Sequence, residues 1–319
     1  MKKLTALICL IALLLVGCGK QPLTVSVTGM GTVISLSLYG GTTGDAQNLL
    51  ALFEEIEQAS SLTIAASAAN KLNETGQTEN AHLLSQAQTA AAVYAASAGA
   101  MDLTVGSLTA LWHIGFPDAR VPSQEEIAEA LTRVNGADVT VTETSLTLKN
   151  GQKADFGAIT KGYACDQARE LLEQSGVSAA VVAVGGSLLF YGSPGRDWVA
   201  AIRHPEQENA YAGTFTLKEG CVSTSGAYER FLEAEGKTYH HILDPSTGYP
   251  AESDLLSVTV VSSSGALSDA LSTACFVLGA EKGAALLNAF GAQGVFILKD
   301  HTVKVFGLDF TLTGEGLTR

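Results

Sequence analysis

In SDALSTACF (268–276), Asp269 and Thr273 stand four residues apart, the spacing that puts two side chains on one face of a helix. A carboxylate beside a hydroxyl is chemistry for a hard cation such as Mg2+ rather than for zinc. Pairs of this kind are common on helices, so the pair alone decides little. HHILDPSTGYP (240–250) holds adjacent histidines beside a strong turn signal. In a strand they point to opposite faces, so at most one serves a given site. A lone histidine is more often structural, but one beside a turn could act as a general base, because its pKa lies near working pH. CVSTSGAYER (221–230) offers the hydroxyls of Thr224 and Ser225, a flexible Gly226 and the fixed cation of Arg230; taken alone, a plain β-turn explains it better. In DFGAITKGYACD (155–166), Asp155 follows a strand and Lys161-Gly162 opens a helix. Such a turn presents free N–H groups suited to phosphate. The order GxxxxGK[ST] is absent, so this is not a P-loop. A capped helix with a solvated lysine is the competing reading.

Elements must bring these segments together. Residues 24–38 read as β-structure broken at Gly29-Met30-Gly31, and residues 45–59 carry Leu49, Leu52, Phe53 and Ile56 at helical spacing. An Ala-rich helix is expected over 79–97, and Ser123 with Glu126 forms a capping box for a helix ending near Gly136. Residues 139–149 alternate as a strand leading into 155–166, and Gln167–Gln174 continue as a helix stopped by Gly176. VSAAVVAV (177–184) is a buried-type strand, short strands fill 187–263, helices cover 266–278 and 280–290, and two strands close the chain. Strand runs mixed with helices, without regular βαβ alternation, indicate an α+β fold.

The first residues have a different character. MKKLTALICLIALLLVGCGK places two lysines before an apolar run from Leu4 to Val16 and then Gly17-Cys18. That is a signal-peptide layout over residues 1–17, and the run is shorter than the roughly 20 residues a membrane-spanning helix needs. Leu15-Val16-Gly17-Cys18 resembles the lipobox of bacterial lipoproteins, which implies a lipid on Cys18, a tether over 18–23 and an extracytoplasmic protein anchored to the membrane. Without residues 1–17 the net charge moves from −13 to −15. Such acidity argues against nucleic-acid binding and against holding an anion through bulk field. A phosphate ligand would need local help. Cys165, Cys221 and Cys275 are widely spaced without a CxxC pattern and read as buried small residues.

Taken in order, the segments resemble the ApbE family of FAD:protein FMN transferases over about Thr24 to Phe306. Met30-Gly31-Thr32 matches an early MGT, and SLTIAASAANKLN (61–73) stands where the family has a serine-rich stretch ending in asparagine. AMDLTVGSLTALWHIG (100–115), DFGAITKGYACD, TSGAYER, HHILDPSTGYP and DALSTA complete the series. The resemblance implies a T-fold-like α+β core with mixed or antiparallel sheets, forming one unit over 24–319. It implies an FAD site lined by Met30, Thr63, Ala100, Met101, Asp102, Asp155, Lys161, Thr224, Ser225, Gly226 and His241. It further implies a Mg2+ site at Asp269, Thr273, Ser272 and the Ala158 carbonyl, with His241 as acid–base residue. The expected activity is Mg2+-dependent transfer of FMN from FAD to a Thr or Ser hydroxyl of an extracytoplasmic acceptor protein, with release of AMP. Two alternatives stay open: an FAD pyrophosphatase giving FMN and AMP, and a non-catalytic FAD-binding lipoprotein. The chain departs from the family pattern in 61–73, which lacks aromatic and acidic residues. It also departs at Ser187, where aspartate is frequent, and at Ala227, where an acid is frequent.

Overall fold

The computed structural model describes residues 21–149 and 151–319. The signal-peptide and Cys18 readings lie outside these residues. In chain order the elements are β1 (Leu23–Gly29), β2 (Thr32–Tyr39), α1 (Thr43–Ser60), α2 (Ala68–Thr75), β3 (Gln77–Thr78) and α3 (Ala81–Ala96). Next come α4 (Gly106–Trp112), α5 (Gln124–Leu131), β4 (Thr140–Val141), β5 (Leu146–Thr147), α6 (Thr160–Glu173), β6 (Ala179–Val184) and β7 (Ser187–Gly192). The chain continues through β8 (Trp198–Arg203), β9 (Tyr211–Leu217), β10 (Gly220–Gly226), β11 (Phe231–Ala234), β12 (Lys237–His240) and β13 (Leu255–Ser262). It closes with α7 (Gly265–Ala289), β14 (Gln293–Leu298), β15 (Val303–Phe306) and β16 (Phe310–Leu312).

Eight strands form one antiparallel sheet in the order β1-β2-β6-β7-β10-β13-β14-β15. Helices cover one face, where Leu36, Val182 and Val260 of the sheet meet Phe53 of α1, Leu83 of α3, Ala168 of α6 and Leu271 of α7. A second sheet, β16-β9-β8, covers the other face through Trp198, Ile202, Phe215 and Phe310. A central strand therefore loses water from both sides. That is why β13, LLSVTVVS, is buried along nearly its whole length, with Ser257 and Thr259 included, instead of burying one face only. A smaller cluster joins α4 and α5 to the β11–β12 hairpin through Leu108, Trp112, Ile127 and Tyr239. The α+β expectation holds, and it holds because strands pair antiparallel while the helices gather on one face.

Local expectations divide by cause. The helix expected over 45–59 forms with a capping box between Thr42 and Asp45, and the Ser123–Glu126 box also forms. That second helix stops at Leu131 rather than near Gly136, and Gly136–Asp138 makes a separate 3-10 turn. The strand expected over 139–149 is instead two two-residue strands, because Thr142 Oγ1 accepts from the Thr144 and Ser145 amides and turns the chain back. Gly279, at φ 78° and ψ 177°, breaks α7 between the two helical stretches read from the sequence. Asp254 Oδ1 accepts from the Ala280 N–H and restarts the helix.

The contact between α6 and α7 leaves no room for side chains. A Cβ placed on Gly162 would lie 2.0 Å from the Gly265 carbonyl oxygen, and one on Gly265 would lie 2.2 Å from that of Gly162. Each helix also supplies an aspartate to the other's first turn. Asp166 of α6 accepts from Gly265 N–H at 2.6 Å, Ala266 N–H at 2.9 Å and the Ser264 hydroxyl at 2.8 Å. Asp269 of α7 accepts from Gly162 N–H at 2.9 Å. First-turn amides have no partner within their own helix, so this exchange satisfies groups that would otherwise be buried unpaired. Gly162→Ala should therefore lower the free energy of unfolding by about 3 kcal/mol, the upper end of the usual cost of overpacking. Chemical denaturation followed by circular dichroism would measure this, and an unchanged midpoint would contradict the geometry.

Candidate active site

The segment 155–166 is anchored by its apolar members. Phe156, Ile159, Ala164 and Cys165 are fully buried, whereas Asp155, Ala158 and Lys161 are half-buried at the rim. Burial of Phe156 and Ile159 is worth about 1.5–3 kcal/mol each and holds the start of α6 against the core. Asp155 makes the turn: Oδ1 accepts from Gly157 N–H at 2.8 Å, and Oδ2 accepts from the Thr109 hydroxyl of α4 at 2.7 Å. Asn73 of α2 clamps the preceding residue, donating to the Ala154 carbonyl and accepting from its N–H. The expectation of free N–H groups at this turn is corrected at Gly162, whose amide is taken by Asp269.

Strand β10 faces α7 with alternate residues. Ser223 Oγ lies 2.8 Å from Ser268 Oγ, and Ser225 Oγ lies 2.7 Å from Ser272 Oγ and 3.2 Å from Thr273 Oγ1. Thr224 points to the opposite face, where its hydroxyl meets Thr259 at 2.9 Å. Ser225, Ser272, Thr273 and Asp269 thus form one cluster of oxygens. Asp269 is 5 % exposed and makes no ion pair among the described residues. Burial raises its pKa first, opposed by the Lys161 charge, the Gly162 amide and the Ser187 hydroxyl. A buried carboxylate without an ion pair, among hydroxyl oxygens, is a donor set that fits a hard cation.

His241 follows the β11–β12 hairpin. Its Nδ1 lies 3.2 Å from the Arg230 carbonyl, which also accepts from the His241 N–H at 3.1 Å. A carbonyl only accepts, so Nδ1 carries the proton and Nε2 carries a lone pair. Burial, joined by the positive charges of Arg230 and Lys161, lowers the pKa to about 4 despite that hydrogen bond. His240 faces elsewhere: Nε2 donates to the Ala251 carbonyl at 3.1 Å, and the ring meets Phe276 edge-on.

The fold therefore brings Lys161, Ser225, Asp269, Ser272, Thr273 and His241 into one electrostatic neighbourhood, with Gly226 ending β10 beside them. Ala158 lies two residues before α6 opens at Thr160. The remaining candidates are placed differently. Met30, at φ 52°, forms a two-residue turn with Gly31 and packs at the edge of the main core. Thr63 is exposed, with its hydroxyl 2.9 Å from Ser61 Oγ. Ala100, Met101 and Asp102 are buried. The Asp102 carboxylate accepts from Thr104 and from Gly136 N–H, which leaves backbone as what that stretch can offer a ligand.

Glu229, Ser187 and Arg203 were not visible as site residues in the sequence. The Glu229 carboxyl is raised first by loss of water, although the residue keeps an exposed side, and Lys161, Arg203 and Arg230 oppose the shift. Its Oε1 lies 3.5 Å from where a Cβ on Gly186 would sit. Only the shape of the sheet places it there. The cysteines Cys165, Cys221 and Cys275 are free and buried, and burial raises all three thiols.

Because the native ring resists protonation while the unfolded ring titrates near 6.5, His241 supports stability above that value and the support is lost as pH falls towards 4. NMR of the His241 imidazole should accordingly show a neutral Nδ1–H ring from pH 8 to about pH 5; a titration centred near 6.5 would contradict the burial.

Comparison with known proteins gives concordant matches. The model of the ApbE family matches residues 30–296. An FAD:protein FMN transferase of Treponema pallidum (strain Nichols) is 38% identical over 228 residues, 65% of this chain and 63% of that protein, just under two thirds of its length. One of Klebsiella pneumoniae (strain 342) is 32% identical over 283 residues, 86% of this chain and 88% of that protein. Among solved structures, the ApbE protein of Thermotoga maritima superposes with a TM-score of 0.82 at 33% identity, covering 90% of this chain and 97% of that one. A mutant of the flavin transferase ApbE from Vibrio cholerae gives 0.77 at 26% identity, covering 90% of this chain and 97% of that one.

Proposed function

The chain belongs to the ApbE family, and from that premise we propose that it transfers FMN from FAD to a Thr or Ser hydroxyl of a partner protein, releasing AMP. The observation that carries the reading is a pair of groups under one charge. Asp269 is a buried carboxylate without an ion pair among the described residues, His241 is a neutral imidazole with a lone pair at Nε2, and Lys161 acts on both.

FAD is FMN joined to AMP through a pyrophosphate. The acceptor hydroxyl oxygen forms a bond to the phosphorus on the FMN side, and the bond from that phosphorus to the AMP oxygen breaks. The hydroxyl proton passes to His241 Nε2. AMP leaves as a stabilised anion and needs little acid help. Lys161 offsets pyrophosphate charge in a chain of net charge −13. Asp269, Thr273, Ser272 and the Ala158 carbonyl would hold Mg2+, which when bound neutralises charge on the phosphoryl oxygens. Asp155 and Thr63 shape the FAD side of the site, with Met30, the 100–102 stretch and the 224–226 segment. Residues 24–319 act as one unit in this reading. The sequence pattern over 1–18 supports export and a lipid on Cys18, so both enzyme and acceptor are extracytoplasmic.

The test is incubation of residues 20–319 with FAD, Mg2+ and an acceptor carrying a flavinylation site, read by in-gel flavin fluorescence. His241→Ala should slow labelling by about 10²–10⁴-fold, the usual worth of a general base. Asp269→Ala should abolish Mg2+-dependent labelling, as should EDTA with the unaltered protein. AMP release without a labelled acceptor would establish the pyrophosphatase instead, and full activity of Asp269→Ala would refute the metal assignment. Separately, Cys18→Ser in the full chain should move the protein from the membrane to the soluble fraction; unchanged fractionation would refute lipid anchoring.

A further inference from the structure

The β11–β12 hairpin sets an unassigned residue opposite the proposed base. Phe231 pairs with His240 and Ala234 with Lys237, around a two-residue turn at Glu235 (φ 52°) and Gly236 (φ 72°). Continued by one pair, this register places Arg230 across from His241, and the Arg230 carbonyl accepts from both the His241 backbone and Nδ1. The side chain of the same arginine runs the other way. Its Nη2 donates to the Gly31 carbonyl at 3.1 Å, in the turn where Met30 and Gly31 both have positive φ. Its stem crosses Gly115 (φ 96°), where an added Cβ would stand 3.2 Å from Arg230 Cδ. A Cβ on Gly31 would stand 3.5 Å from Nη2. Two glycines in the left-handed region thus line the path of one side chain. That path joins three segments far apart in the chain: the β1–β2 turn, the loop after α4 and the entry to β11 opposite His241.

We propose that Arg230 is a positioning residue for His241: its carbonyl selects the Nδ1–H tautomer, and its guanidinium ties that carbonyl to the Met30–Gly31 turn. The proposal rests on the reading of His241 as the base. Its physical content is that a ring tethered by one acceptor can still rock with the strand bearing that acceptor. Anchoring the strand at Gly31 removes this freedom and keeps Nε2 aimed into the site. Met30, held in the left-handed region at φ 52°, helps present the Gly31 carbonyl to the guanidinium. The guanidinium also places a fixed positive charge near the ring, which favours the neutral form a base requires.

The experiment combines steady-state kinetics of FMN transfer with 15N NMR of the histidine rings, on Arg230→Ala, Arg230→Met and Arg230→Lys. Arg230→Met keeps an apolar stem over Gly115 and removes the donor, so it serves should Arg230→Ala not fold. For either, kcat should fall about 10–100-fold with KM for FAD within roughly threefold, the pattern of a misplaced group rather than a lost ligand. The His241 spectrum should gain an Nε2–H population. Arg230→Lys, whose ammonium can donate to the same carbonyl, should restore part of both. Unchanged kcat and tautomer would overturn the proposal, and so would a rise in KM alone, which would make the guanidinium an FAD contact. Full activity of His241→Ala would remove the base reading, while the tautomer comparison would still decide what Arg230 does to the ring.

Discussion

The close crossing of α6 and α7 is the constraint on which the rest of the molecule depends. Gly162 and Gly265 let two backbones meet where any Cβ would collide, and each helix then ends its orphan amides on the other's aspartate. The exchange has two outcomes of different kinds. At one end it is purely structural, because Asp166 spends both oxygens on the start of α7 and pairs weakly with Arg169 at 3.7 Å. At the other it buries a carboxylate beside Ser272 and Thr273 while Gly162 occupies Oδ2. The contact that joins the helices also positions the acid.

Electrostatics at the site runs against the chain as a whole. The protein carries a net charge of −13, yet Lys161, Arg203 and Arg230 all lie close enough to Glu229 to act on its carboxyl. Field from distant acids is screened over about 10 Å at moderate salt, so nearby cations dominate there. Lys161 acts on neighbours of opposite need, opposing the burial that would neutralise Asp269 and, with Arg230, reinforcing the burial that keeps His241 uncharged. A base with a free lone pair and a carboxylate poised for a cation can therefore coexist under the same local charge.

Much of this was legible before any coordinates. The capping residue Ser123, the break at Gly279 and the α+β character follow from local rules, because caps and periodicity act within a few residues. The alternation of β10 was likewise implicit in its residues, with Ser225 and Thr224 necessarily on opposite faces. Residues 139–149 defeated the same rules: their alternation suited a strand, but the side chain of Thr142 offered the backbone a turn. Asp102 was read towards the ligand and is consumed by Thr104 and Gly136, a partner 34 residues away that no local pattern reveals.

By itself the sequence determined which residue types were available in which order: an Asp–Thr pair on a helix, a serine on one face of a strand, a histidine beside a turn, and glycines where backbones must approach. Those are short-range properties, carried by composition and spacing. Only the tertiary structure decided which of these groups share a site, which proton His241 carries, that Arg230 stands beside His241, and that Ser187 and Glu229 act on or near Asp269. Distances of this kind depend on the register of paired strands and on one helix crossing. Both are set by burial and steric fit between segments more than a hundred residues apart, such as Gly162 and Asp269 at a separation of 107.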